Sequence, residues 1–146
     1  MRGRILAVDP GDQRIGVAVS DPSATIANPL TVVQHTARQV DAGVIAQIAQ
    51  EQGAILIVVG QALDIEGGIG PRARKAQRMA ESIRTQTDLP VVLWDESGST
   101  QQAKYARIAM GSNRKKRAGH LDELAATIIL QSYLDAQMDR SGNDIS

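Results

Sequence analysis

Hydrophobic positions along the chain fall into two rhythms. Arg4 to Val8 is a short, nearly unbroken apolar run, and Ile15, Val17 and Val19 alternate with smaller residues up to Ser20. Both patterns predict strands, and Pro10-Gly11-Asp12-Gln13 between them predicts a turn, so the pair reads as an antiparallel hairpin. A third strand is predicted over Leu30 to Gln34, where Thr31, Val32 and Val33 are β-branched and Pro29 marks the start. The period then lengthens. Val40, Val44, Ile45 and Ile48 recur at helical spacing until Gly53, and Ile55 to Val59 reads as a buried strand.

A glycine-bearing segment from Gly60 to Pro71 leads into a helix predicted over Arg72 to Thr87, with Ala76, Met79, Ala80 and Ile83 inward. It ends before Leu89-Pro90, because the residue ahead of a proline is pushed out of helical geometry. Val91 to Trp94 is a further short strand. Ser99-Thr100-Gln101-Gln102 has the capping-box pattern and predicts a helix through Met110, closed by Gly111. A basic loop follows, then a last helix over His120 to Gln137 with Leu121, Leu124, Ala125, Ile128 and Ile129 on one stripe. This order predicts one α/β domain over residues 1–137, with the polar tail 138–146 disordered. Its mixed five-stranded sheet has an antiparallel three-strand meander, then parallel strands, with helices on both faces. In such sheets ligands gather at the carboxyl ends of the parallel strands.

Composition narrows the chemistry. The 146 residues are 42% hydrophobic, enough for one core, but Phe is absent and the aromatics are Trp94, Tyr105 and Tyr133. Base stacking on aromatic platforms is therefore a minor option, and any nucleic-acid contact should run through the backbone. Sixteen basic residues balance sixteen acidic ones, so attraction for a polyanion must come from local clusters. With no Cys and only His35 and His120 as imidazoles, disulfides, thiol nucleophiles and Cys-ligated zinc are excluded, and a metal must rest on oxygen ligands. Neither a signal-peptide pattern nor a membrane-length apolar run is present, which predicts a cytoplasmic protein with no membrane partner.

Carboxylates stand where such a ligand site would form. Asp9 ends the first strand, and Asp95-Glu96 follows Val91 to Trp94; both strands read as central, and a side-by-side placement would bring Asp9 to one of that pair. Asp122 opens the last helix, about one residue off its apolar stripe, where the helix dipole favours an acid. Singly, these are ordinary turn, strand-end and helix-start acids. Together they would repel one another unless a hard divalent cation, Mg²⁺ or Mn²⁺, took oxygens from several of them. Such a site hydrolyses phosphodiesters without a side-chain nucleophile, commonly with two ions about 4 Å apart. Arg114, Lys115, Lys116 and Arg117, with Arg72 and Arg74 and then Lys75 and Arg78, are the candidate phosphate contacts. The loop Gly60 to Gly68 lacks the P-loop pattern and reads as a flap, with Asp64 and Glu66 as surface acids. His35 and His120 read as surface or helix-cap residues.

Four ordered stretches, LAVDPGDQRIGVAVSD, IVVGQALDIEGGIGPRARKAQRMAESI, LPVVLWDES and RKKRAGHLDELAATIILQSYLD, are similar to the YqgF family, also called RuvX, over about Arg4 to Asp135. The resemblance implies a ribonuclease H-like fold and a bacterial cytoplasmic nuclease. Its implied substrates are the 5′ end of pre-16S rRNA, within ribosomal assembly intermediates, or branched DNA at a Holliday junction. It carries the family's metal-binding acids onto Asp9, Glu96 and Asp122. Two departures stand out: Ser97 occupies the place of an Arg after the Asp-Glu pair, and Gly60-Gln61-Ala62-Leu63-Asp64 replaces Gly-Leu-Pro-Leu-Asn. They leave open a catalytically weakened nucleic-acid-binding or ribosome-assembly factor. The Asp9-Pro-Gly11 turn also occurs in two-domain ATP-binding proteins, for which this chain is short. Monomer and homodimer are both open, and a junction resolvase needs two sites.

Overall fold

The computed structural model describes residues 3–62, 68–95 and 114–145, and within the last segment the side chains of 124–139. The two amino-terminal apolar runs form β1 (Arg4–Pro10) and β2 (Arg14–Ser20), followed by β3 (Ala27–Gln34), α1 (Arg38–Gln52), β4 (Ala54–Gln61), α2 (Pro71–Arg84), β5 (Val91–Asp95) and α3 (Arg114–Ile145). The strands make one five-stranded sheet in the order β3-β2-β1-β4-β5. The β1–β2 and β2–β3 pairs are antiparallel, whereas β1–β4 and β4–β5 are parallel. This is the predicted meander followed by crossovers. The helix predicted through Met110 lies outside the described residues.

Both faces of the central strands are covered, which is why β1 and β4 read as nearly continuous apolar runs. Leu6, Val8, Ile57 and Val59 meet Ala42, Ile45 and Ala49 of α1 and Ala76, Met79, Ala80 and Ile83 of α2. On the other face Ile5, Ala7, Leu56 and Val58 meet Ala126, Ile129, Leu130, Tyr133 and Leu134 of α3. Strand alternation thus sorts the sheet into an α1/α2 face and an α3 face. The β1–β2 turn uses glycine for want of space: a Cβ on Gly11 would run into the backbone carbonyl of Arg14.

Several boundaries and faces differ from the sequence reading. β1 extends through Pro10, so Asp9 is a paired strand residue opposite Gly16 rather than the residue after the strand. β3 begins at Ala27, ahead of Pro29; it is an edge strand, where the missing N–H of proline is tolerated, and the register slips between Val17 and Ala18. In α1 the buried stripe is Asp41, Ala42, Ile45, Ala46 and Ala49, while Val40 and Val44 are exposed. Small alanines let α1 lie close to the sheet, and the larger valines fall on the far side. In α3 the buried positions centre on Ala126, Ile129, Leu130, Tyr133 and Leu134, whereas Leu124 and Ala125 are half-buried. Its helical backbone also begins at Arg114 and continues to Ile145. The basic run is thus helical, not loop, as suits the strong helix preference of Arg, Lys and Ala. Past Gln137 the helix goes on where the sequence predicted a disordered tail.

At the far end of the sheet from Asp9, the β2–β3 connection is organised by Asp21. Its carboxylate accepts from Ser23 Oγ at 2.5 Å, Thr25 N at 2.8 Å, Thr25 Oγ1 at 2.9 Å and Ile26 N at 3.1 Å. These donors, the Ser23 hydroxyl foremost, then the Ile26 and Thr25 amides, hold the Asp21 carboxyl well below the usual carboxylate range.

Two outcomes follow from this packing. Gly60→Ala would drive a Cβ into Ile129 Cδ1 and to 3.1 Å from Ile129 Cγ1, inside a filled core. The expected loss is about 1–3 kcal/mol of unfolding free energy in urea titration, with Ile129→Val in the same chain recovering part of it. For Asp21 the folded-state carboxyl is depressed, so its contribution is present above the unfolded value, roughly pH 4, and fades as pH falls towards the folded value. The gap in melting temperature between wild type and Asp21→Asn should therefore be constant from pH 5 to 7 and shrink below about pH 4.

Candidate functional site

Asp9 occupies the carboxyl-terminal part of β1, next to the end where β4 and β5 also terminate. It is half-buried, and by alternation with Ile5 and Ala7 it belongs to the α3 face. Val8 is in register with Val59, so Asp9 is level with Gly60, which in turn pairs with Trp94. The expectation that β1 and β5 are adjacent is not met: β4 lies between them and β5 is the sheet edge. Two inter-strand spacings put β5 roughly 10 Å from β1. Asp95 is exposed and pairs with Gln61, and it alternates onto the α1/α2 face with Val91 and Leu93. Glu96 lies outside the described residues.

On the intervening β4, the space that a side chain on Gly60 would need is filled by Ile129 of α3, which packs directly against the strand. Asp122 is in helical backbone two turns ahead of Ile129 and one turn ahead of Ala126. Its side chain lies outside the described residues. Among the described residues no three His, Asp or Glu side chains gather to hold a metal; of the three predicted ligands, only the Asp9 side chain is in that set. Asp9 itself is a suitable hard-cation donor, a half-buried carboxylate at a strand end.

Trp94 fixes α3 to the sheet edge. Its indole N–H donates to Ser132 Oγ at 3.2 Å, and its ring meets that of Tyr133 edge-on, with centroids 5.3 Å apart and planes at 88°. Two of the three aromatics are thus committed to packing, in line with nucleic-acid contact through the backbone; Tyr105 lies outside the described residues. At the end of β4, Gln61 Oε1 is buried with no hydrogen-bond partner among the described residues.

Cations line the neighbouring rim. Arg72, Arg74 and Arg78 are exposed along α2, though Arg74 also donates to the Ile69 carbonyl at 3.4 Å. Lys75 Nζ donates to Asp12 Oδ1 at 2.5 Å. That bond and charge, joined by the charges of Arg72 and His35, lower the Asp12 carboxyl below its ordinary value. The side chains of Arg114, Lys115, Lys116 and Arg117 lie outside the described residues, as do Asp64 and Glu66. Sequence reasoning missed one constellation: His35 Nδ1 is 2.5 Å from Oδ2 of Asp41, a carboxylate buried in the first turn of α1. The available signal was a polar residue, Asp41, on what became the sheet-facing side of α1.

Among the described residues no helix is long and apolar enough to cross a membrane. The chain is 38% identical over 94% of its length to a protein of Thermoanaerobacter pseudethanolicus, 99% of which is covered. It is 41% identical over 97% to one of Rhodopseudomonas palustris, 89% of which is covered. A protein of Geobacillus kaustophilus is also 41% identical, over 92% of this chain and 99% of its own. All three are provisionally named pre-16S rRNA nuclease. Among solved structures, RuvC of T. thermophilus in complex with a Holliday junction substrate matches 93% of this chain and 96% of its own, with a TM-score of 0.58 at 15% identity. The Fowlpox virus resolvase in complex with Holliday junction DNA matches 92% and 98%, with a TM-score of 0.54 at 12% identity. These likenesses mark the fold as ribonuclease H-like. The sequence profile of RuvX, described as Holliday junction resolvase, matches residues 3–136, and the chain belongs to that family.

Proposed function

We propose that this protein is a divalent-metal-dependent nuclease that hydrolyses phosphodiester bonds of structured nucleic acid and processes the 5′ end of pre-16S rRNA in the cytoplasm. The near-full-length correspondence with relatives of that name carries the reading. Asp9, Glu96 and Asp122 hold the metal. Asp95 alternates away from the Asp9 face, which supports Glu96 as the member of the acidic pair that takes the role. Mg²⁺ or Mn²⁺, when bound, supplies an activated water and charge stabilisation for the leaving oxygen, in a two-metal arrangement.

The chain's own contribution is placement. Asp9 brings a carboxylate to a rigid strand, where its position does not depend on a loop. Gly60 lets Ile129 of α3 pack directly onto β4 beside it, and the Trp94–Ser132 and Trp94–Tyr133 contacts set how α3 lies over that strand. Arg114, Lys115, Lys116 and Arg117 hold the substrate backbone on the α3 side, and Arg72 and Arg74 hold it on the α2 side. With few aromatics to spare, recognition rests on phosphate geometry and charge.

A second reading, resolution of branched DNA, is favoured by the family description and requires a homodimer, since a junction is cut at two symmetric points. Light-scattering mass with and without a four-way junction, alongside cleavage of both substrates, separates the two.

Cleavage of a pre-16S leader RNA in Mn²⁺ should fall at least about a hundredfold in Asp9→Asn, because disturbing even the outer sphere of a metal site costs 10–100-fold. The same variant should lose the rise in melting temperature that Mn²⁺ gives wild type. Equal rates and equal Mn²⁺ stabilisation in both proteins would refute the assignment. Alanine at all four of Arg114, Lys115, Lys116 and Arg117 should weaken RNA binding in Ca²⁺. It should also flatten the dependence of log affinity on log salt by roughly 0.7–0.9 for each phosphate no longer neutralised; an unchanged slope would remove the run from the interface.

A further inference from the structure

His35 directly follows β3 beside the β1–β2 turn, its backbone N–H donating to the Gln13 carbonyl at 2.9 Å. One ring nitrogen, Nδ1, is held by Asp41 Oδ2 at 2.5 Å, and the Asp41 side chain is 1% exposed. The other Asp41 oxygen accepts from the Thr36 N–H at 3.1 Å and the Thr36 hydroxyl at 3.3 Å. A buried carboxylate in this position keeps a proton on Nδ1 and fixes the plane of the ring. The chemistry left to the solvent side is that of Nε2, for which the described residues supply no partner, on a side chain that is 39% exposed.

A tie between strand and helix would account for the Asp41 bond alone. It does not account for the company His35 keeps. Around the turn, Lys75 and Arg72 of α2 and His35 all act on the charge of Asp12, and Arg38 on α1 is exposed nearby in the chain. Among the described residues here, Asp12 is already held by Lys75 and Asp41 by His35 and Thr36, which leaves Arg72 and Arg38 as exposed cations of this rim in a chain that is neutral overall. The rim continues the α2 side of the proposed substrate path past the turn that hangs from Asp9.

We propose that His35 is a nucleic-acid contact: its imidazolium, with Nδ1–H bound by Asp41, donates Nε2–H to a backbone phosphate of the substrate beyond Lys75 and Arg72. This rests on the nuclease reading and adds a binding residue to it. Asp9 is level with Gly16 and, two strands across, with Val32, and three further residues in the direction of β3 place His35 roughly 14 Å from Asp9. That is on the order of four base steps along a duplex, too far to serve the reacting atoms. A ring with hydrogen on Nε2 as well as Nδ1 can donate to a phosphate oxygen, whereas a bare Nε2 lone pair cannot.

The test is the Kd of a fluorescent pre-16S leader hairpin, by anisotropy in Ca²⁺ at fixed ionic strength from pH 5.5 to 8.0. Wild type should bind roughly tenfold tighter at the acid end, the size of one charge-assisted hydrogen bond. His35→Gln should bind weakly with that gain removed, and His35→Arg, whose cation is permanent, should bind tightly across the range without the pH dependence. In the unaltered protein, RNA added at pH 6 should shift the His35 ring-nitrogen resonances, which are assignable with only two histidines in the chain. A His35→Gln profile parallel to that of wild type, or unmoved ring resonances while RNA binds, overturns the inference and leaves the nuclease reading standing. Absence of RNA binding by wild type at every pH brings down both.

Discussion

The closeness of α3 to the middle of the sheet is the constraint on which the Asp9 end depends. Ile129 occupies the volume that a side chain on Gly60 would need, so helix and strand approach until side chain meets backbone. That approach sets how high α3 rides over the carboxyl-terminal part of β4. A larger residue at position 60 would lift the helix, and every group carried by its first turns would rise with it. The arrangement is stiff because it is built from fully buried aliphatic contacts, whose dense packing leaves no slack to absorb a shift.

The two faces of the sheet divide the work. The α1/α2 face is lined by alanines on its helices and aliphatics on its strands, and its rim at the turn end carries Lys75, Arg72 and His35 around Asp12. The α3 face carries Asp9, Trp94 and the long helix. A polyanion approaching the strand ends would meet exposed cations from one face and the Asp9 carboxylate from the other. A chain with no net charge can thus still present local charge, its sign set by which groups border each part of the sheet end.

Much of the architecture was legible because it rests on periodicity. The hairpin, the buried strand Ile55 to Val59 and the inward residues of α2 follow from spacing alone, and Asp9 stood out as an acid closing an apolar run. Strand order was not legible: the apolar runs Ile5 to Val8 and Ile55 to Val59 look alike, and neither says which strands flank it, so the placement of β4 between β1 and β5 had no signal. The face of α1 was misread because Val40 and Val44 outweigh Ala42, Ala46 and Ala49 in hydrophobicity, whereas close packing against a sheet favours the smaller side chains. Asp41 was passed over for the same reason, since a carboxylate is buried only when partners such as His35 and Thr36 arrive from elsewhere in the fold.

The joint between β5 and α3 has an optical consequence. Trp94 is the chain's single tryptophan, and it is wedged between Ser132 and Tyr133. The emission of this protein therefore issues from one seam: any event that lets the long helix slide along the sheet edge would be visible as a colour change, with no label attached and no second indole to dilute it.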